Sequence, residues 1–191
     1  MKKKLVIVAL ALSTSFMYSQ KHNVSIGYGV VSNDQIIVTM SMIFASLSDQ
    51  IFGDKSYDES LYIGPLILSY HHTLASNERI SLGGSFAFDH AKFKNDENAA
   101  DVITFNAFTL APEFKFKYLN PENSFNLYGL LGVGGTMMAY KYHETNNSNI
   151  APHFNFQISP IGFEYGRKVK GFLELGVGYK GVISGGVSFE L

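Results

Sequence analysis

Apolar and polar residues alternate with a period of two along most of this chain, which is typical of β-strands with one apolar face. Eight such segments follow residue 20, and intervals rich in turn-forming or charged residues separate them. In the fourth segment, Phe114 and Phe116 share one face, while Glu113, Lys115 and Lys117 share the other. The segments cover residues 23–31, 62–71, 79–90, 108–118, 125–142, 153–165, 173–180 and 185–191.

The intervals between these segments alternate in length. The second, fourth and sixth are short turns (LASNE, LNPEN and GRKVKG), whereas the first, third and fifth are longer and cover residues 32–61, 92–101 and 143–151. An even number of strands with short turns at one end and longer loops at the other is typical of outer-membrane barrels. The pattern therefore predicts an all-β, eight-stranded antiparallel transmembrane β-barrel. A secreted β-sandwich is the alternative, since the apolar faces could also form its core.

Residues 33–52 depart from the period of two. Apolar residues recur there at helical spacing, and Asn33 or Asp34 could cap the first turn, so the first extracellular loop is predicted to be partly helical. The helix could fold over the barrel mouth as a lid, dock a partner or gate a ligand, because an apolar stripe outside lipid is usually covered. Its predicted interaction face consists of Ile37, Met40, Phe44, Leu47 and Ile51.

The first 19 residues have the features of an export signal. Three lysines at positions 2–4 precede an apolar stretch from Leu5 to Leu12, which is too short to span a bilayer, and small polar residues follow up to Ser19. We interpret residues 1–19 as a signal peptide that is cleaved before Gln20. Residues 20–191 then form the barrel domain.

Charge and composition exclude several classes of function. The whole chain has 15 cationic side chains, so 12 remain without the three leader lysines, against 16 anionic ones. Nucleic-acid binding is therefore unsupported, since it requires a basic surface. The chain has no cysteine, which excludes disulfides, thiolate metal sites and a cysteine nucleophile.

In a barrel that crosses lipid, the apolar faces point outward and the polar faces fill the lumen, because the closed sheet pairs every backbone polar group. Eight strands leave an interior just wide enough for side chains. Both signs of charge are present on the inner faces, which favours a lumen plugged by side chains over an open conduit. The predicted lumen network is Asp89, Glu113, Lys115, Lys117, Glu164, Glu174, Lys180 and Glu190.

Tyrosines near segment ends are candidates for aromatic girdles at the membrane interfaces. They are Tyr62, Tyr70, Tyr118, Tyr128, Tyr165 and Tyr179. Of these, Tyr128 could instead point inward.

The last seven residues, GGVSFEL, keep the alternation to the end of the chain. Val187, Phe189 and Leu191 share the apolar face. In water such an edge would be prone to association, whereas in a barrel it is the closing strand. We expect it to pair with the first strand around Ile26.

Five stretches of the sequence are characteristic of one group of proteins: YSQ at the end of the leader, SIGYGVV, RISLGGSFAF, QISPIGFEYG and the terminal GGVSFEL. With them the chain resembles the small eight-stranded outer-membrane β-barrel proteins of the OmpA/OmpX type and the wider group of outer-membrane barrel proteins of Gram-negative bacteria. The resemblance implies a location in the outer membrane, contact with its lipid, and folding by the outer-membrane assembly machinery. That machinery would read Val187, Phe189 and Leu191 as a terminal signal, although an aromatic residue is commoner than Leu191 at the last position.

Candidate catalytic groups are few. Some eight-stranded barrels are lipid A deacylases or acyltransferases that use a histidine with a serine and an acid, and such a site needs a nucleophile within hydrogen-bond reach of its base. The SYHHT stretch is predicted at the periplasmic end, and the deacylase-like HxSN pattern is absent, so we expect no enzyme activity. The residues considered are Ser69 with His71 or His72, and Ser85 with Asp89 and His90.

A metal site is not expected either. His143, Glu144 and His153 could converge at the rim of the third long loop, but polar residues beside an asparagine-rich loop are more often solvated. No cofactor is predicted. The sequence thus favours a structural or surface-interaction role, with another envelope protein as a candidate partner. A small gated channel or carrier for an apolar ligand, with the 33–52 helix as lid, and a lipid-modifying enzyme are the alternatives.

Overall fold

The computed structural model describes residues 21–52, 57–95, 102–120, 123–142 and 147–191, and it does not describe the side chains of residues 45–52, 57–60, 95 and 147. The predicted signal peptide, residues 1–19, lies outside the described residues. The elements in chain order are β1 (His22–Val30), α1 (Asn33–Phe52), β2 (Tyr57–Leu74), β3 (Asn77–Asn95), β4 (Val102–Lys117), β5 (Phe125–Tyr142), β6 (Asn147–Gly166), β7 (Val169–Gly178) and β8 (Ile183–Glu190).

The eight strands form one closed antiparallel barrel in sequence order. β8 returns to β1 and closes the sheet, with Val187 opposite Ile26, so the predicted closing pair is confirmed. The predicted fold class, an all-β antiparallel barrel of eight strands with a helix in its first interval, is also confirmed. Closure pairs both sheet edges over the height of β1, β7 and β8, whereas β2 and β6 extend past their short neighbours at the helix end with one edge outside the ladders.

The strands differ in length, and this shapes the barrel. β2 to β6 have 16 to 20 residues, whereas β1, β7 and β8 have 8 to 10. We call the end with the connections at 75–76, 118–124 and 167–168 the turn end, and the opposite end, where α1 leaves β1, the helix end. The wall is therefore lower on the side of β1, β7 and β8 at the helix end.

The three intervals predicted as loops are shorter than expected, which corrects their bounds. β2 already begins at Tyr57, where it pairs with Asn95 of β3, and β6 begins at Asn147, opposite Tyr142 of β5. These extensions lack a clear apolar face. Backbone pairing continues there because a neighbouring strand offers free N–H and C=O groups, which require no particular side chain.

Two irregularities decide which side chains face inward. A bulge near Pro160 is marked by register shifts between Ile158 and Ile161 and, on the other neighbour, between Tyr128 and Leu130. A second shift lies in β2 between Ile63 and Leu66. It inverts the facing of the residues before it, since each extra residue moves side chains to the other face.

The interior has distinct polar and apolar layers, and the inner face of β4 shows their order. From the helix end it carries three apolar residues, then Thr109, Ala111 and Glu113, and finally two lysines at 115 and 117. Among the described residues, no helix is long and apolar enough to cross a membrane.

Candidate functional site

The inner wall of the barrel brings the predicted lumen residues together. All eight of these side chains lie on the inward face and are buried or half-buried. They divide into two clusters along the axis, and a separate acid, Asp89, lies nearer the helix end. The eight are Asp89, Glu113, Lys115, Lys117, Glu164, Glu174, Lys180 and Glu190.

The central cluster is built around Glu113 and Lys180. The ammonium of Lys180 lies 2.8 Å from Glu113 Oε1 and 3.6 Å from Glu174 Oε2. His71 Nε2 lies 2.9 Å from Glu113 Oε2, and the Tyr179 hydroxyl donates to Glu113 Oε1. Each buried charge here has at least one opposite charge or donor, which removes most of the cost of burying it.

A second cluster of charges lies toward the turn end. Glu164 accepts from Lys115 at 2.7 Å and lies 3.7 Å from the ammonium of Lys117. Lys170 pairs with Glu190 at 2.6 Å. The cavity between the two clusters has a volume of about 20 Å³, which is room for about one water molecule.

Tyr128 connects the two clusters. Its hydroxyl donates to Glu174 Oε1 at 2.9 Å, while the ammonium of Lys115 lies 3.6 Å from the centre of its ring. The ring crosses the lumen against Gly162, where a Cβ atom would lie 2.4 Å from the ring carbons Cε2 and Cζ. Gly162 is thus required by this close approach.

Gly162→Val is expected to destabilise the barrel by about 1–3 kcal/mol, because the added side chain overlaps the Tyr128 ring in a packed interior. The measurement is urea-induced unfolding of the refolded protein in detergent, followed by circular dichroism. Gly171→Val is the matched control, since a Cβ there meets no atom within 4 Å. Equal stability losses in the two variants would contradict the packing argument.

Three inward residues were not predicted by the alternation. Tyr179, a predicted girdle residue, is instead fully buried. Gly178, with φ of 145°, ends β7, and the turn that follows directs both Tyr179 and Lys180 inward. The shift in β2 turns Tyr62 toward Asp89, to which its hydroxyl donates at 2.7 Å. Lys170 was assigned to a turn, although its spacing from Glu174 places both on one strand face.

The predicted girdle tyrosines therefore divide into two groups. The outward group is found toward the turn end and is exposed, as girdle residues would be. The inward group contributes hydroxyl donors to buried carboxylates. The outward tyrosines are Tyr70, Tyr118 and Tyr165, and the inward ones are Tyr62, Tyr128 and Tyr179.

The helix begins inside the barrel mouth, and Ser32 caps it. Ser32 Oγ accepts from the backbone N–H of Gln35 at 3.1 Å, so the predicted cap at Asn33 or Asp34 is wrong. Ser32 also donates to Asp89 Oδ1 at 3.1 Å. The cap residue thus fixes the first turn of α1 to β3 while it satisfies a free backbone donor.

Asp34 joins α1 to the opposite wall. Its carboxylate accepts from His153 Nε2 at 2.9 Å, from Asn155 Nδ2 at 3.0 and 3.1 Å, and from Thr109 Oγ1 at 3.4 Å. Burial raises the pKa of Asp34 above its usual value, and the neighbouring His153 opposes that shift. We call these four residues the Asp34 latch.

The docked face of α1 differs from the predicted interaction face. Val38 is buried against an apolar cluster that includes Phe93, Phe105 and Met138, and Met42 packs on the same cluster. The described side chains of the predicted face point away from the barrel, at exposures of 43% for Ile37, 49% for Met40 and 64% for Phe44. The side chains of Leu47 and Ile51 lie outside the described residues.

The catalytic candidates have other partners. Ser69 Oγ lies 2.5 Å from Ser85 Oγ, and His71 contacts Glu113. His90 Nδ1 lies 2.8 Å from Asn106 Oδ1. Among the described residues, no hydrogen bond joins a candidate serine to a candidate histidine, so the nucleophile and base are not brought together.

The metal candidates are only partly described. His143 and Glu144 lie outside the described residues, and His153 belongs to the Asp34 latch. Within the described ranges, no three histidine or carboxylate side chains are grouped as they would be around a metal ion.

The terminal residues Val187, Phe189 and Leu191 all face outward on the closing strand and are exposed. Their role as an assembly signal stays a prediction.

Comparison with known proteins does not assign the chain to a family. No protein-family model matches the sequence, and no curated protein matches it significantly. The geometry of the barrel is therefore the basis on which a function is proposed.

Proposed function

We propose that this chain is an integral outer-membrane β-barrel with a closed lumen, and that it has a non-enzymatic structural or surface-interaction role at its helix end. Its partners are outer-membrane lipid, the outer-membrane assembly machinery that inserts it, and another envelope protein that contacts α1. The resemblance to barrels of the OmpA/OmpX type supports the location and the assembly route.

The observation that carries the proposal is the inverted distribution of side chains. All eight strands expose large apolar side chains on the outer wall, among them Ile26, Leu68, Leu110, Val133 and Phe154. The interior instead holds ion pairs. A soluble protein rarely exposes a continuous apolar surface of this extent, whereas lipid solvates such a surface, and closure satisfies the backbone.

Strand lengths support an orientation. A tilted strand needs roughly 9–11 residues to cross a bilayer, which β1 and β7 just provide with 9 and 10 residues, while β8 has 8. β2 to β6 are longer and would project beyond the bilayer at the helix end. Short turns on the periplasmic side and longer outer connections are usual in such barrels, so α1 would lie on the cell surface.

The surface-interaction role is supported by α1. Its Asp34 and Val38 are held in the barrel, so Ile37, Met40 and Phe44 are presented outward on a fixed element. Because the helix is already ordered, a partner would bind this face without the entropic cost of folding it.

Membrane integration is tested by expression with residues 1–19 in a Gram-negative host. We expect the protein in the outer-membrane fraction, soluble only with detergent, and with a gel mobility that differs between unheated and boiled samples. Recovery in the periplasm without detergent, together with the same mobility before and after boiling, would remove the main proposal.

The interaction role is tested on the same envelopes by cross-linking and mild-detergent purification. A partner should be retained by the wild type and lost from Met40→Ser/Phe44→Ser. Lys141→Ser, an exposed change at the same end of the barrel, is the control. A partner that the double variant still retains would argue against α1 as the docking element.

A second candidate is the gated channel or carrier for an apolar ligand. The apolar cluster below α1, which contains Val38, Phe93, Phe105 and Met138, favours it, since such a chamber would accept an apolar molecule if α1 moved. In the docked arrangement these side chains pack against one another. The candidate therefore requires release of the Asp34 latch.

A further inference from the structure

The mouth of the barrel at the turn end contains a pocket of about 160 Å³. It is open to solvent, and its described lining belongs to the 167–168 connection, to Lys21 and Asn123, and to the turn-end residues of β4, β6, β7 and β8. Of its lining residues that the structure describes, five are cationic and one is a carboxylate. We call it the basic mouth, and its charged residues are Lys21, Lys117, Arg167, Lys168, Lys170 and Glu190.

Among the described residues, the ion pairs around the basic mouth leave positive charge uncompensated. Lys21 pairs with Glu78 at 3.1 Å, and Lys170 pairs with Glu190. Lys117 lies 3.7 Å from Glu164, a carboxylate that also accepts from Lys115 at 2.7 Å, and its other acidic neighbour, Glu190, is paired with Lys170. With Lys115 included, six described cations therefore share three described carboxylates.

Lys117 is the side chain for which this excess matters most. Its residue is only 5% exposed, so water does not fully solvate the ammonium, and a buried ammonium is costly unless a counter-charge lies close to it. On the rim, Arg167 and Lys168 are exposed and face the same opening. An oxyanion bound between the buried ammonium of Lys117 and the two rim cations would supply the negative charge that these three groups share too little of.

We propose that the basic mouth binds an anion of the phosphate class. A phosphate group presents several strong acceptor oxygens, and a guanidinium with one or more ammonium groups is a usual protein environment for it. Lys117 would contact the anion from the lumen side, and Arg167 and Lys168 would contact it from the rim.

This proposal goes beyond the proposed function and does not depend on it. One chain supplies every lining residue of the pocket, so the site requires neither lipid nor a partner protein. The phosphate could belong to a soluble compound or to a lipid headgroup. Three of its charged lining residues, Lys117, Lys170 and Glu190, lie on the inner face of the barrel, whereas headgroups would surround the outer wall. We therefore expect the soluble source to bind more tightly.

The test is calorimetric titration of refolded protein in a neutral detergent, with inorganic phosphate as the probe at low ionic strength. We expect saturable binding, weakened at least about tenfold in Arg167→Gln/Lys168→Gln, because a hydrogen bond to a charged group contributes about 1.5–3 kcal/mol. These exposed substitutions leave the packed interior unchanged. Lys117→Met is a second variant with the same expected direction, and gel mobility checks that each variant folds.

Lys94→Gln/Lys141→Gln removes two exposed charges at the helix end, as many as the rim variant removes, and is the control, with unchanged binding expected. No saturable phosphate binding would overturn the proposal, and so would equal weakening in the rim variant and the control, since that result would indicate a general effect of net charge. A second arm uses nanodiscs with and without phosphatidylglycerol. Binding that requires the anionic lipid and is lost in the rim variant would keep the phosphate site but assign it to a headgroup.

Discussion

Lys180→Met is expected to lower the free energy of unfolding by about 3–5 kcal/mol, because it removes one partner of a buried ion pair and leaves the other buried. Without the ammonium, the described partners of Glu113 and Glu174 are His71 and hydroxyl donors. The chain contains no tryptophan. Unfolding in urea is therefore best followed by far-ultraviolet circular dichroism or by the fraction of protein with folded gel mobility.

The double variant Lys180→Met/Glu113→Gln separates the loss of pairing from the loss of packing. It should recover part of the stability, because a neutral amide replaces the carboxylate that Lys180→Met leaves unpaired. Lys141→Met, at an exposed position, should change stability by less than about 0.5 kcal/mol. If Lys180→Met unfolded at the same urea concentration as the wild type, Glu113 and Lys180 would not be a stabilising pair.

Much of the barrel could be predicted from the sequence because the alternation of apolar and polar residues along a strand is the same whatever medium the apolar face meets. On β4, for example, a period of two places Glu113, Lys115 and Lys117 together whether the opposite face meets lipid or a protein core. The turn and loop intervals then order the strands. A period of two does not indicate where a bulge or a turn reverses the side of the sheet to which the following side chains point. For this reason the inward positions of Tyr62 and Tyr179 could not be predicted.

The docking of α1 was harder to predict for a different reason. Helical spacing correctly identified a helix in residues 33–52, and the usual expectation is that its most apolar face is the buried one. In this barrel the first turn of α1 lies at a level of the lumen where the inner wall is polar, and the neighbours of Asp34 there are Thr109 and Asn155. Asp34 satisfies those donors, so the face with Asp34 and Val38 is buried, and Ile37 stays outside.

The second large effect is expected from Asp34→Ala, which leaves the donors of His153, Asn155 and Thr109 without their acceptor and should weaken the docking of α1 by about 2–4 kcal/mol. Since the chain has no cysteine, Val38→Cys provides a single thiol at a position that is 1% exposed. Its reaction with a maleimide reports how often α1 leaves the mouth. We expect Asp34→Ala to accelerate that labelling by about 30-fold to 1000-fold.

Asp34→Asn is the matched variant and should have the smaller effect, because its amide keeps an acceptor oxygen of the same size for His153. Phe44→Ala, on the exposed face, should leave the labelling rate unchanged. Release of α1 alone should still not open the lumen, since Ile67, Ala87 and Ala111 form an apolar layer below the latch and the Glu113–Lys180 cluster lies beneath that layer. Planar-bilayer recordings of Asp34→Ala should therefore show no discrete current steps. Such steps would favour the gated channel over the closed structural barrel, because α1 would then be the barrier to ions.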